Sequence, residues 1–412
     1  GVGHASIEDT NAAGTRQTST GDRLEAHFAQ GGQAGAKGEA SGKGGLGGAG
    51  QIQSAVLEGH VVLTQEQAVK PGAQAEAPLR AWAGRAVYEG TGGWLHLTVS
   101  PRVEDGGLQM TADKIDVSHE SGDAFAHGNV KATWLDTDAA KAGARGKPAN
   151  GAGGQGGVGQ GGVALGGKGP AHVIASEAQL SHAAGGATSE VTFRGHVRLW
   201  QQANSVGGPV IVLDRQKQTL VARSMDPAEP VNVVLLSAGG PEPGAAGGKQ
   251  AGSDSGKGSA GKPGTPSVIR VRGGDLKYSD AERKAVMRGG TLGTVVAETA
   301  TATSVSDEVE LLLLPAGNHA GKDGGSAQVD TMRARGHVVV TSEGRRGTGE
   351  QLVYTGETGE YALTGTGAAQ PRMTDPARGN VTGEALIFHS RDDSVSVEGG
   401  GRKTTTETRT PK

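Results

Sequence analysis

Residues 348–354 read Thr-Gly-Glu-Gln-Leu-Val-Tyr, and residues 382–388 repeat them as Thr-Gly-Glu-Ala-Leu-Ile-Phe. In both copies a glycine follows the aromatic residue after eleven positions, Gly365 in the first copy and Gly399 in the second. The apolar residues in between occupy alternate positions. A period of two is typical of β-strands with one buried face, so each copy predicts a hairpin whose two strands turn the same side inward.

The same spacing recurs through the chain. It connects Tyr278 to Gly289, Val117 to Gly128, Leu213 to Ser224 and Tyr88 to Val99, and two stretched copies begin near residues 21 and 175. Polar turns separate the paired strands, as at residues 356–359 and 279–282. These copies are rich in Thr, Val and Gly, which favour strands and turns over helices. The repeat therefore predicts an all-β stack of hairpins.

A second pattern is a glycine followed by a polar residue and a valine. It occurs as Gly59-His60-Val61, Gly128-Asn129-Val130, Gly195-His196-Val197 and Gly336-His337-Val338. A glycine inside a strand pattern usually marks a β-bulge or a bend. We expect each of these steps to bend a long strand around an edge of the fold, with the polar residue facing outward.

The composition fits a thin, extended core. Glycine supplies 74 of 412 residues, aromatic residues make up 3% and hydrophobic residues 34%. A stacked repeat protein tolerates so few apolar residues better than a conventional globular domain does. The net charge of −3 comes without a basic stripe, which argues against nucleic acid as a partner. The chain has no cysteine and begins without methionine, so we expect a processed N-terminus or an excised fragment.

Low-complexity segments interrupt the repeat. They span about 29–51, about 138–170 and about 237–266, with a smaller one at about 315–327, and consist mainly of Gly, Ala, Lys, Ser, Gln and Pro. Such segments cannot bury enough apolar area to order themselves, so they are predicted to be long disordered loops. The predicted organisation is repeats over 1–236, a loop or linker over 237–266, repeats over 267–404 and a polar tail over 405–412.

The residues that could carry catalysis or bind a metal are spread along the repeat. His60, His196 and His337 share one outward repeat position, so they lie one repeat apart and do not converge on an ion. The near P-loop at 162–169 ends in glycine where Ser or Thr should hold magnesium. The acidic pairs Asp392-Asp393 and Asp307-Glu308 fall in polar turns. We therefore expect no enzyme activity, no catalytic residue, no metal ion and no cofactor.

The inward-facing apolar residues form the candidate functional surface. In one interpretation they are the closed core of a β-sandwich. In the other, the two sheets stay apart and leave an apolar trough for acyl chains, each buried methylene contributing about 0.8 kcal/mol. The residues are Leu276, Tyr278, Met287, Val338, Val340, Leu352, Tyr354, Tyr361, Leu363, Leu386, Phe388, Val395 and Val397.

The run from 335 to 365 together with 382–388, and the earlier stretches 112–115 and 128–130, resemble the OstA/LptA family of periplasmic lipopolysaccharide-transport proteins. The resemblance implies an elongated open β-jellyroll of two V-shaped antiparallel sheets. It also implies binding of lipopolysaccharide acyl chains in the trough, and edge-strand pairing with other jellyroll Lpt-type proteins. The implied location is the periplasm, bridging the inner and outer membranes in outer-membrane biogenesis. The chain departs from the family in its length and in its Gly-rich loops.

The sequence is therefore compatible with two main functions. The leading hypothesis is a non-enzymatic lipid-binding conduit for lipopolysaccharide or a related glycolipid. The alternative is a structural or adhesive β-solenoid with a closed core and no lipid ligand. A third possibility, a polysaccharide-degrading β-helix, would need outward carboxylates clustered on adjacent strands.

Overall fold

The computed structural model describes most of the repeat and little of the Gly-rich segments. The described residues are 2–10, 16–28, 52–66, 78–90, 93–118, 121–134, 165, 167, 169–182, 188–237, 267–314, 327–342, 344–366, 369–377, 379–389, 394–399 and 404–408. The predicted loops at 29–51, 138–170, 237–266 and 315–327 lie outside these residues except at their borders, and so does the second half of the predicted polar tail, 409–412.

The described residues form strands and one 3-10 turn, Gly290–Leu292. The first fourteen strands are β1 (Val2–Thr10), β2 (Arg16–Phe28), β3 (Ile52–Glu66), β4 (Leu79–Glu89), β5 (Trp94–Thr98), β6 (Arg102–Asp105), β7 (Leu108–Thr111), β8 (Lys114–Ser118), β9 (Ala124–Trp134), β10 (Ala171–His182), β11 (Thr188–Gln201), β12 (Asn204–Asp214), β13 (Thr219–Arg223) and β14 (Val231–Ser237). The others are β15 (Val268–Gly273), β16 (Asp275–Ser279), β17 (Lys284–Arg288), β18 (Val295–Glu298), β19 (Thr303–Ser306), β20 (Glu308–Leu313), β21 (Gln328–Ser342), β22 (Arg345–Thr355), β23 (Glu360–Thr364), β24 (Arg372–Asp375), β25 (Gly379–Thr382), β26 (Ala385–His389), β27 (Ser394–Glu398) and β28 (Thr405–Thr408). The all-β fold predicted from the repeat is confirmed.

The chain divides into two compact units. Unit 1 contains residues 1–163, 170–199 and 212–217, and unit 2 contains residues 164–169, 200–211 and 218–412. The division into repeats over 1–236 and 267–404 stays a prediction, because the segment proposed to separate them is not among the described residues.

Unit 2 consists of two ladders of paired strands. Ladder A runs β13–β16–β17–β20–β21–β22–β23–β26–β27, and all its pairs are antiparallel. Ladder B runs β12–β14–β15–β18–β19–β21–β22–β24–β25–β28, also antiparallel. The long strands β21 and β22 belong to both ladders, so the two ladders meet along a bend in these strands. The apolar core lies between their inward faces.

Unit 1 repeats this plan. Its ladder A is β2–β3–β4–β5–β8–β9–β10 and its ladder B is β1–β2–β3–β4–β6–β7–β9–β10. In each unit the two ladders are joined at the bend, and their strand ends farthest from the bend face each other. We call the gap between these strand ends the mouth.

The predicted hairpins pair in the register that the repeat implies. In β22 and β23, Leu352 is opposite Leu363 and Tyr354 is opposite Tyr361, across the turn at 356–359. The adjacent hairpin continues the row, because Tyr361 is also opposite Phe388. Directly opposed side chains on one face are the pairs that stabilise an antiparallel sheet. The alternation therefore lines up apolar residues across several strands and produces a continuous inward face.

The Gly-polar-Val steps are the bends between the ladders. In β21 the pairing with β22 jumps from Arg335 to Val338, and the skipped residues Gly336 and His337 have φ angles of +78° and +47°. The same positive φ pair occurs at 59–60, 128–129 and 195–196. A left-handed backbone suits Gly, and it suits His and Asn better than most residues. The predicted bulge is thus present and explains both residue types.

One bend is formed without glycine. Val99 and Ser100 connect β5 to β6 with φ angles of +62° and +56°, and Val99 occupies the position that glycine holds in other copies. A β-branched residue at positive φ is strained by about 1–2 kcal/mol. Its side chain covers Gly84, where an added Cβ would lie 2.6 Å from Val99 Cγ1.

We expect Val99→Gly to stabilise the protein. Relief of the left-handed strain outweighs the greater backbone freedom of glycine in the unfolded chain, and the net gain is about 1 kcal/mol. The free energy of unfolding from urea titration measures it. Thr98→Gly, one residue earlier in extended backbone, is the matched control and should lose about 0.5–1 kcal/mol. A loss at Val99 as large as that at Thr98 would contradict the assignment of strain.

Candidate functional site

The predicted trough residues lie on the inward faces of the two ladders in unit 2. Ten of the thirteen are buried: Leu276, Tyr278, Met287, Val338, Val340, Leu352, Tyr354, Tyr361, Leu363 and Leu386. The three others, Phe388, Val395 and Val397, are half-buried on β26 and β27. In the described part of the chain β27 pairs with β26 alone, so this end of the inward face is not covered by a further strand.

Contacts across the mouth close most of unit 2. The end of β14 in ladder B pairs in parallel with the start of β21 in ladder A, Leu236 opposite Gln328. Beside this pairing, the hydroxyl groups of Ser237 and Tyr354 are 3.1 Å apart and buried. Asn204 is buried here too, and its Nδ2 donates to the Ala327 carbonyl oxygen at 2.9 Å. The inward faces therefore enclose a filled core at this place.

A second polar contact crosses the mouth nearer the C-terminus. The hydroxyl of Tyr361 in ladder A is 2.9 Å from Thr299 Oγ1 in the turn between β18 and β19 of ladder B. The Tyr361 ring also packs on Tyr354, with ring centroids 4.7 Å apart. Burial raises the pKa of Tyr361, so its hydroxyl stays protonated and can donate at neutral pH. The hydroxyl groups of the two tyrosines thus join the ladders, Tyr354 through Ser237 and Tyr361 through Thr299 and, at 3.4 Å, Thr301.

Beyond Tyr361 a cleft remains between the ladders. Its volume is about 40 Å³, and it is lined by Val340, Gly347, Tyr361 and Phe388 on the apolar side. This is space for a few water molecules and not for an acyl chain. A Cβ at Gly347 would lie 2.8 Å from Val340 Cγ1 and 2.9 Å from Leu363 Cδ2, so glycine is what leaves this space open.

Charged and polar groups form the rim of the cleft. Arg345 Nε donates to Asp375 Oδ2 at 3.2 Å, and both side chains are largely buried. His389 lies on the other side, with Nδ1 3.1 Å from Glu360 Oε1 and Nε2 3.2 Å from Ser396 Oγ. The cleft thus combines an apolar floor with a polar rim, the arrangement that suits an amphiphilic molecule.

Two of the three histidines considered as metal ligands each bind an aspartate at their own bend. His60 Nδ1 is 2.8 Å from Asp22 Oδ2, and His337 Nδ1 is 2.8 Å from Asp307 Oδ2. The hydrogen bond to Asp307 raises the pKa of His337 above its usual value. Within the described ranges no group of three or more potential metal ligands converges. Asp307 thus binds His337 at the bend, while Asp392 and Asp393 lie outside the described residues.

Several residues of the site do not stand out in the repeat. Gly347 and Arg345 line the cleft, and the short strands of ladder B contribute the buried inward residues Met373 and Val295. Their strands β18 and β24 have only four residues each, too few to show an alternation. The sequence signal for Gly347 is its place two residues before Gly349 at the start of the repeat.

Comparisons with known proteins found structural similarity but no matching family model or curated protein. One similar solved structure is LptH, described as the LptA homologous periplasmic component of the conserved lipopolysaccharide transport device from Pseudomonas aeruginosa. The identity is 16% over 34% of this chain and 90% of that chain, with a TM-score of 0.25. In the part of the chain that the structure describes, no helix is long and apolar enough to cross a membrane.

Proposed function

We propose that the chain is a non-enzymatic carrier that holds the acyl chains of lipopolysaccharide or a related glycolipid between its two ladders. The observation that carries the proposal is the continuous apolar inward face, which becomes half-exposed at Phe388, Val395 and Val397 next to a cleft with a polar rim. The sugar portion of such a lipid would stay at the rim, beside Arg345 and His389.

Acyl chains would enter by separating the β26–β27 hairpin from ladder B. In the described part of unit 2 few hydrogen bonds cross the mouth, and a typical hydrogen bond contributes only about 0.5–1.5 kcal/mol net. Each buried methylene contributes about 0.8 kcal/mol, so an acyl chain of about ten methylenes offsets several such contacts. The small cleft is then the starting point of a larger opening.

The periplasmic location and the bridging role belong to the same proposal. In the described part of the chain, β1 pairs with β2 alone, and β27 and β28 each pair with one strand. Strands with an unpaired side are templates for another chain, which would allow end-to-end pairing with other jellyroll Lpt-type proteins. We propose no nucleic-acid partner.

Photocrosslinking from a single strand tests the proposal. With a crosslinking amino acid at Phe388, which faces inward, we expect several-fold stronger labelling by lipopolysaccharide than with the same amino acid at the outward neighbour Ile387. The comparison controls for surface adhesion, because both positions lie on β26 and are half-buried. Mass spectrometry of the crosslinked peptide measures the ratio. Equal labelling at the two positions would contradict lipid binding between the ladders.

The second candidate is a structural β-protein with a closed core. The β14–β21 pairing and the contacts of Tyr354 and Tyr361 favour it, since they seal the mouth over most of unit 2. It predicts no inward labelling at Phe388 at any lipid concentration. The crosslinking experiment therefore separates the two functions.

A further inference from the structure

In unit 1 a histidine between two aspartates bridges the mouth. His182, the last residue of β10, has a side chain only 4% exposed. Its Nε2 is 3.5 Å from Asp105 Oδ2 at the end of β6 in ladder B, and its Nδ1 is 3.4 Å from Asp123 Oδ1 in the turn after β8. The imidazole thus connects ladder A to ladder B by side-chain contacts.

This contact needs a particular protonation state. Both ring nitrogens face carboxylate oxygens, which can only accept hydrogen bonds when ionised. A protonated imidazole donates from both nitrogens and satisfies both partners. A neutral imidazole donates from one nitrogen only, and its other nitrogen then turns a lone pair towards a carboxylate. The main-chain N–H of His182 also donates to Asp123 Oδ1 at 2.8 Å, which holds Asp123 in place on the ladder A side.

A buried amide lies beside this imidazole. Gln65 in β3 of ladder B is buried, and its Oε1 has no hydrogen-bond partner in the described part of the chain. A Cβ at Gly122 would lie 3.6 Å from both Gln65 Nε2 and His182 Cε1, so the amide and the imidazole flank the same glycine. A buried acceptor without a partner is costly, and opening the mouth gives it water.

We propose that His182, Asp105 and Asp123 form a proton-operated latch, which keeps the mouth of unit 1 closed while the imidazole is protonated and lets the two ladders separate when it loses the proton. The latch stands independently of which ligand the chain carries, since its contacts and the two spin labels that test it lie in unit 1 alone. An open mouth in unit 1 would expose the inward face that includes Leu108 and Leu180.

The direction of the pH effect follows from the same contacts. Burial lowers the pKa of His182, but the hydrogen bonds and charges of Asp105 and Asp123 outweigh it, so the pKa is raised above 6.5 in the closed state. Closure is therefore fully supported below pH 6.5 and is lost as the pH rises through the raised value. Each unit by which the pKa of His182 differs between the closed and open states changes the opening equilibrium about tenfold.

Distance measurements across the mouth test the latch. The chain has no cysteine, so Gln109→Cys on β7 and Gln179→Cys on β10 would carry spin labels on the outward sides of ladders B and A. Electron–electron double resonance on the full chain, from about pH 5.5 to about pH 9, should show a longer-distance population that grows with pH. His182→Gln in the same background should remove the pH response. His337→Asn, which replaces another aspartate-bound histidine with the residue found at the equivalent bend, should leave it intact.

A second variant keeps the test decisive if His182→Gln does not fold. Asp105→Asn removes one carboxylate that holds the proton, so the pH midpoint of opening should fall while circular dichroism stays that of a β-protein. The latch is overturned by a distance distribution that does not change with pH. It is equally overturned by a pH response that survives His182→Gln, by one that disappears in His337→Asn, or by an unchanged midpoint in Asp105→Asn.

Discussion

Gly336→Ala is expected to lower the free energy of unfolding of unit 2 by about 2–4 kcal/mol, the combined effect of two costs. Alanine at the φ angle of +78° is strained, because an L residue disfavours left-handed backbone. Its Cβ would also stand 2.2 Å from Asp307 Oδ2 and 2.8 Å from Asp307 Cγ, so the aspartate must move and release His337. Urea titration followed by circular dichroism measures the loss.

A neighbouring glycine separates the two costs. Gly344 has a similar φ of +82°, but a Cβ there would meet nothing within 4 Å. Gly344→Ala should therefore lose only about 1 kcal/mol, the strain term alone. Removing the obstacle with Asp307→Ala should recover part of the Gly336→Ala loss. Equal losses at Gly336 and Gly344 would show that the bend does not depend on close approach of Asp307.

Leu352→Ala is expected to destabilise unit 2 by about 2–5 kcal/mol. Leu352 is 0% exposed, and it lies opposite Ala334 of β21 and Leu363 of β23 in the middle of the inward face. Truncation removes buried methyl groups and leaves a cavity, because both neighbouring strands are held by their own hydrogen bonds. Denaturant titration and the loss of amide protection in β22 and β23 measure the effect.

The adjacent residue provides the control for that change. Val353 lies on the same strand with its side chain on the outward face, where it is only half-buried. Val353→Ala should cost less than about 1 kcal/mol, in line with surface substitutions. Comparable losses at the two positions would mean that the inward face of β22 is not the core of unit 2.

Much of ladder A could be predicted from the sequence. The repeat places Leu352 and Tyr354 opposite Leu363 and Tyr361, because a strand's alternation is a local property and a short turn sets the register of the hairpin. The bends could be predicted as well, since Gly336 followed by His337 is a residue pair that tolerates the left-handed backbone.

Ladder B was largely hidden from sequence reasoning. Its strands β24 and β25 have four residues each, and within β24 only Met373 is buried. Four residues show at most two alternations, which chance also produces. In unit 1 two inward residues at the mouth, Gln65 and Asp105, are polar and interrupt the apolar alternation. The sequence pattern alone therefore assigns them to turns. The role of His182 could not be read from its neighbours in the sequence for the same reason.

The sequence by itself determined which side of each strand faces inward and where the long strands bend, because both depend on residues a few positions apart. Whether the two inward faces touch was decided only by the tertiary structure. Tyr361 reaches Thr299 across 62 positions and Tyr354 reaches Ser237 across 117. Such contacts depend on how far apart the ladders are held by the bends and by the β14–β21 pairing. A period of two describes a face and carries no information about the distance to the face opposite.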